Sequence, residues 1–183
     1  MSWETLSEGV RGCARCPALV ATRTTVVVGT TSPGARLLVV GEAPGDKEDA
    51  SGLPFVGRSG QLLDRLLAEA GLPREEVSVL NTLKCRPPGN RLPTRAETAN
   101  CRPWTEGQIA LLDPWLVLTL GLSATRWWLG PGTLAAVRGA VHDVGGRRVL
   151  PTYHPSAALR GGPAGEPMRL LREDLALAVR LVA

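Results

Sequence analysis

Four short strand-like runs divide the chain, and segments of helical period separate them. Leu37-Leu38-Val39-Val40, Val77 to Leu80, Trp115 to Leu120 and Arg147 to Tyr153 have the length and apolar character of buried strands. Between the first two, Leu62, Leu63, Leu66, Leu67 and Ala70 fall on one helical face, and Gly71 with Pro73 stops that helix. Thr94-Arg95-Ala96-Glu97 is a capping box that starts another helix, which Pro103 is expected to kink or interrupt. Helices are also expected over Trp3 to Val10, over Gly121 to Leu129, and along a closing face of Met168, Leu171, Leu175, Val179 and Val182. Strands alternating with helices predict an α/β sandwich on a mainly parallel sheet. At 183 residues this is expected to be one domain, residues 1–183.

In such sheets ligands bind at the carboxyl ends of the strands. Glu42 follows the first strand, Asn81 the second and His154 the fourth. An acid, an amide and an imidazole are therefore expected to meet at one rim. Singly, each has an ordinary reading: an acid at a helix N-terminus, a turn amide, a buried imidazole. Gly41-Glu42-Ala43-Pro44-Gly45 is not a phosphate-binding loop, since it lacks the Gly-Lys-Ser/Thr ending and Pro44 removes an amide donor. From there to Arg58 the sequence reads as a glycine-punctuated loop. It holds the only Phe, Phe55, between Gly52 and Gly57, placed either to plug the core or to stack on a planar ligand.

The net charge of +4 is a mild bias toward polyanions, and its distribution is uneven. Lys84, Arg86, Arg91, Arg95 and Arg102 crowd one segment, while Glu42, Asp46, Glu48 and Asp49 crowd another. No run is long enough to span a membrane. Met1-Ser2-Trp3-Glu4 has neither the basic nor the apolar part of a secretory signal, so a cytoplasmic location is expected. There, disulfides are disfavoured. Cys13-Ala14-Arg15-Cys16 forms a close pair, with Cys85 and Cys101 far along the chain. Four thiolates suit an iron–sulfur cluster or a structural zinc, with ordinary buried thiols as the remaining reading.

Taken together, the segments Gly41 to Asp49, Gly52 to Gly60, Asn81 to Arg91 and His154-Pro155-Ser156, with the cysteine spacing, resemble the family 4 uracil-DNA glycosylases, the iron–sulfur branch of the uracil-DNA glycosylase superfamily. The resemblance runs from about Cys13 to the C-terminus. It implies a three-layer α/β/α sandwich around a four-stranded parallel sheet, and a 4Fe-4S cluster on Cys13, Cys16, Cys85 and Cys101. It also implies hydrolysis of the bond joining uracil to deoxyribose in single- or double-stranded DNA, by a monomer with no membrane partner.

The resemblance further implies roles for single residues. Phe55 would stack on a flipped uracil, Asn81 would read its edge, and His154 would donate to O2 with backbone amides near Ala43. Glu48 would hold the attacking water while Glu42 shapes the pocket. Lys84, Arg86, Arg91 and Arg160 would contact phosphates. The sequence departs from the family after His154-Pro155, where bulky residues usually wedge into the vacated stack. Ala157 and Ala158 are small here, which leaves Leu159 as the expected wedge. Two rivals remain. A relative that traps uracil through a histidine after the second strand is disfavoured, because His142 and His154 are the only histidines. An iron–sulfur DNA-binding or redox-sensing module without glycosylase activity would not need the Phe55/Asn81/His154 rim.

Overall fold

A computed structural model describes residues 2–183. In chain order the elements are α1 (Trp3–Arg11), α2 (Pro17–Val20), β1 (Leu37–Gly41), α3 (Asp46–Ser51), α4 (Arg58–Glu69), β2 (Val77–Asn81), α5 (Arg95–Leu112) and β3 (Leu116–Leu120). They continue with α6 (Gly121–Leu129), α7 (Leu134–Val137), β4 (His142–Val144), β5 (Arg147–Thr152), α8 (Pro155–Gly161) and α9 (Glu166–Val182). The sheet order is β2-β1-β3-β5-β4. The first four strands pair in parallel, and β4 runs antiparallel to β5 at the edge.

Every residue of β1, β2 and β3 is buried, as expected for parallel strands covered on both faces. The alternation of side chains sorts them into two cores. Leu37, Val39, Val79 and Leu118 meet Leu63, Leu66 and Leu67 of α4 and Leu171 and Leu175 of α9. Leu38, Val40, Leu80 and Val117 face Ile109 of α5 and Trp127 and Trp128 of α6. A third cluster joins the N-terminal segment to the chain after β2, through Leu6, Val10, Leu19, Leu83, Cys85 and Cys101.

Three expectations need correction. The sheet has five strands rather than four, because a hairpin adds β4. Its turn is Gly145-Gly146, with φ of 60° and 81°, the left-handed pair that a tight hairpin requires. Part of the segment read as a loop before Arg58 is the six-residue α3. Pro103 does not interrupt its helix: α5 runs unbroken from Arg95 to Leu112. Pro103 lies on the exposed face, so the carbonyl deprived of its partner can turn to water. Among the described residues no helix is long and apolar enough to cross a membrane.

Candidate active site

A cavity of about 620 Å³ opens at the carboxyl ends of the parallel strands. That is within the usual range for a small-molecule site. Its lining includes Glu42, Ala43, Glu48, Phe55, Asn81, His154 and Arg160, contributed by four separate stretches of chain.

Strand pairing sets the floor. Gly41 and Asn81 are register partners at the ends of β1 and β2. The chain beyond is locked by Thr82 N–H donating to Gly41 O and Leu83 N–H donating to Glu42 O, each at 2.9 Å. Asn81 is 2% exposed, and its Oδ1 is buried with no hydrogen-bond partner. A buried amide oxygen without a donor is costly, so this atom marks where a ligand N–H belongs. A Cβ on Gly41 would lie 2.5 Å from both Asn81 Oδ1 and Phe55 Cζ. Only glycine lets the amide and the ring share this corner, a requirement that the sequence reading missed.

Phe55 bridges the core and the cavity. Its backbone is left-handed, with φ of 55°, a conformation uncommon for a non-glycine residue. The surroundings hold it there. Arg74 donates from Nη2 to Pro54 O at 3.0 Å while pairing with Asp64. Gly60 passes so close that a Cβ would fall 1.7 Å from Phe55 O.

Glu48 is the other fastener. Its Oε2 accepts from Gly45 N–H at 3.1 Å, and its Oε1 accepts from Val56 and Gly57 N–H at 2.9 and 2.8 Å. The carboxylate thus binds the start of α3 to the turn after Phe55. The Glu42 side chain reaches the same cavity without a hydrogen-bond partner among the described residues.

His154 caps α8. Its Nδ1 accepts from Ser156 N–H at 3.1 Å and lies 2.8 Å from Ser156 Oγ. The neutral ring therefore carries its proton on Nε2, free to donate. The ring centroid is 5.9 Å from that of Phe55. Burial, reinforced by the positive charge of Arg160 and opposed by Glu48, holds the imidazole down at about 4. A base with a lowered pKa charges only as pH falls through the lowered value. His154 should accordingly stay neutral across about pH 6–8 and gain a second ring proton only toward about pH 4, where that proton meets Ser156 N–H. An NMR titration of the ring checks this.

The expected phosphate contacts divide. Lys84 must be withdrawn: it is 1% exposed, and its ammonium donates to Asn81 O at 2.6 Å. Burial lowers its pKa to about 8, against the pull of Cys101 and Cys85. Arg86 pairs with Asp46 and donates to Asn90 Oδ1. Arg91 grips Glu97 with two bonds, of 2.9 and 2.6 Å. Arg160 is exposed at the cavity and has no such partner among the described residues. Leu159 must also be withdrawn as a protruding wedge. The segment is helical, and the leucine is half-buried against the main core.

The four cysteines line one small cavity beneath the site, together with Lys84 and Arg23. Arg23 Nη1 donates to Cys85 Sγ at 3.0 Å, and Asn100 Nδ2 lies 3.6 Å from Cys16 Sγ. Donors aimed at sulfur, beside a buried ammonium with unused protons, suit an anionic thiolate group. Among the described residues no three potential ligands gather as a single-ion site would need. Four thiols lining one cavity are still a candidate ligand set for an iron–sulfur cluster or a zinc ion.

The sequence matches known proteins over most of its length. The family model "Uracil DNA glycosylase superfamily" matches residues 28–176. A type-4 uracil-DNA glycosylase of Thermotoga maritima is 43% identical over 94% of this chain and 90% of its own. The type-4 enzyme of Sulfurisphaera tokodaii is 39% identical over 86% of this chain and 76% of its own. That of Saccharolobus solfataricus is 38% identical over 92% and 81%. The chain belongs to the type-4 uracil-DNA glycosylases.

Proposed function

We propose that this protein removes uracil from DNA by hydrolysing its N-glycosidic bond, leaving an abasic site that opens base-excision repair. The observation that carries the reading is the unpartnered Asn81 Oδ1 at the cavity floor. A base in a duplex cannot reach it, so the nucleotide must first turn out of the stack. Uracil then gives its N3–H to Asn81 Oδ1 and takes Asn81 Nδ2–H at O4, with Phe55 against the ring. Cytosine presents the opposite pattern on that edge and leaves two buried mismatches, a discrimination of about 10⁴-fold or more.

As C1′–N1 breaks, its electron pair moves onto the base and negative charge builds at O2. His154 Nε2–H donates to that oxygen, together with the Ala43 N–H. A single such donor is worth about 10²–10³ in rate. The sugar becomes cationic, and water adds at C1′. We assign that water to Glu42, the carboxylate with free lone pairs, and give Glu48 the task of holding the pocket walls. This reverses the division expected from the sequence. Among the described residues no lysine lines the cavity, which supports reading the enzyme as a monofunctional glycosylase with no Schiff-base step.

Cys13, Cys16, Cys85 and Cys101 would hold a 4Fe-4S cluster, whose contribution is to staple α1 and α2 to the chain after β2. Arg86 and Arg160 would meet phosphates, which makes binding salt-sensitive. The test is chromatographic detection of free uracil from single-stranded uracil DNA, with iron and sulfide quantified in the same preparation. Release is expected. Iron-loaded protein that releases none overturns the reading.

A further inference from the structure

The geometry points to Leu92, on the loop between β2 and α5, as the side chain that fills the gap left by the departing nucleotide. The inference rests on the glycosylase reading and names how that site handles a duplex. Leu92 is 71% exposed, the most exposed of the large apolar side chains among the described residues, and it stands in the lining of the base cavity. An apolar group held out into water at the mouth of a site for DNA has one evident use. Proteins that unstack bases insert such wedges between neighbouring steps.

The loop is built to hold it there. Arg91 donates from Nη1 to the Leu92 carbonyl at 3.0 Å while its guanidinium forks onto Glu97. Glu97 is buried and also accepts from Thr94 N–H at 2.8 Å. That pairing with Arg91 pulls the Glu97 carboxyl down to about 2, so the clamp stays charged at any physiological pH. At the other end of the loop, Arg86 ties Asn90 and Asp46 together. Leu92 is thus presented from a stretch fixed on both sides, which reduces the ordering needed on binding. The alternative on α8 is poorly placed. Ala157 is small, and Leu159 is drawn against the core.

The experiment compares uracil release from a uracil·guanine duplex and from the same strand alone. Leu92→Ala should lower kcat/KM on the duplex by about 10- to 100-fold, the range that burial of one leucine side chain supports. Its value on the single strand should stay close to that of the unchanged protein. Leu92→Met should restore most of the duplex activity. A duplex with 2-aminopurine beside a non-cleavable 2′-fluoro-deoxyuridine should brighten with the unchanged protein and much less with Leu92→Ala. Equal loss on both substrates, no loss on the duplex, or a duplex-selective loss in Leu159→Ala instead would overturn the assignment. Unchanged protein inert on the single strand would overturn the glycosylase reading, and the wedge with it.

Discussion

An Asn81→Asp protein should lose about 10³-fold or more of its uracil release at neutral pH, and should begin to release cytosine as the pH falls. The loss follows from the buried edge. A carboxylate there faces the O4 lone pairs of uracil and has no N–H to give, so an unmatched acceptor pair replaces a hydrogen bond. The gain follows from protonation. Asn81 is 2% exposed, and burial raises a carboxyl pKa because the charged form is disfavoured. Once protonated, the acid donates its O–H to cytosine N3 and accepts from the exocyclic amine, the reverse of the amide pattern. A folded carboxyl with a raised pKa is protonated below that value, so cytosine release should grow toward acid. Release of each base from matched single strands, followed against pH, checks both halves. Uracil activity left intact, or no cytosine at any pH, would remove Asn81 from the recognition edge.

Gly41→Ala should cost about 10²-fold or more in kcat/KM while leaving the sheet in place. The residue is in β1 and does not have positive φ, so alanine meets no backbone objection. The new Cβ instead falls 2.5 Å from Asn81 Oδ1 and from Phe55 Cζ, closer than real contacts allow. Both must move, and they are the amide that reads the base and the ring that stacks on it. A displacement near 1 Å in a catalytic arrangement is enough for a loss of this order. Overpacking of this kind typically costs about 1–3 kcal/mol of stability. A thermal midpoint measured beside the kinetics separates the two effects. A variant that keeps full activity would show that uracil does not sit in this corner.

The placement of Glu42, Asn81 and His154 was readable in advance because it depends only on topology. Short, continuously apolar strands must lie inside a parallel sheet, and whatever polar residue ends each strand then arrives at the same rim. What escaped was set by side-chain direction and close contact. Lys84 sits in a basic stretch and resembles a phosphate ligand, yet its neighbours Leu83 and Cys85 are both buried and it follows them inward. A wedge at Leu159 requires a loop, where an apolar residue would protrude. Pro155 at the first turn and His154 as the cap make the segment a helix, and that turns the leucine onto the core.

Two signals were present and unused. Gly145-Gly146 between Val144 and Arg147 is hairpin chemistry and marks β4. Ser156, two residues after His154, is the donor that fixes the ring proton on Nε2. The division expected from the sequence, Glu48 for the water and Glu42 for the pocket, has no contact geometry behind it. Which carboxylate is consumed by backbone donors depends on where the turn at Val56 and Gly57 comes to rest.

The most direct measurement is a crystal structure of the iron-loaded protein soaked with free uracil. The account predicts the ring against Phe55, N3 within hydrogen-bond distance of Asn81 Oδ1, and O2 at His154 Nε2. Uracil bound elsewhere, or seated in the cavity with its O4 edge turned away from Asn81, would contradict it.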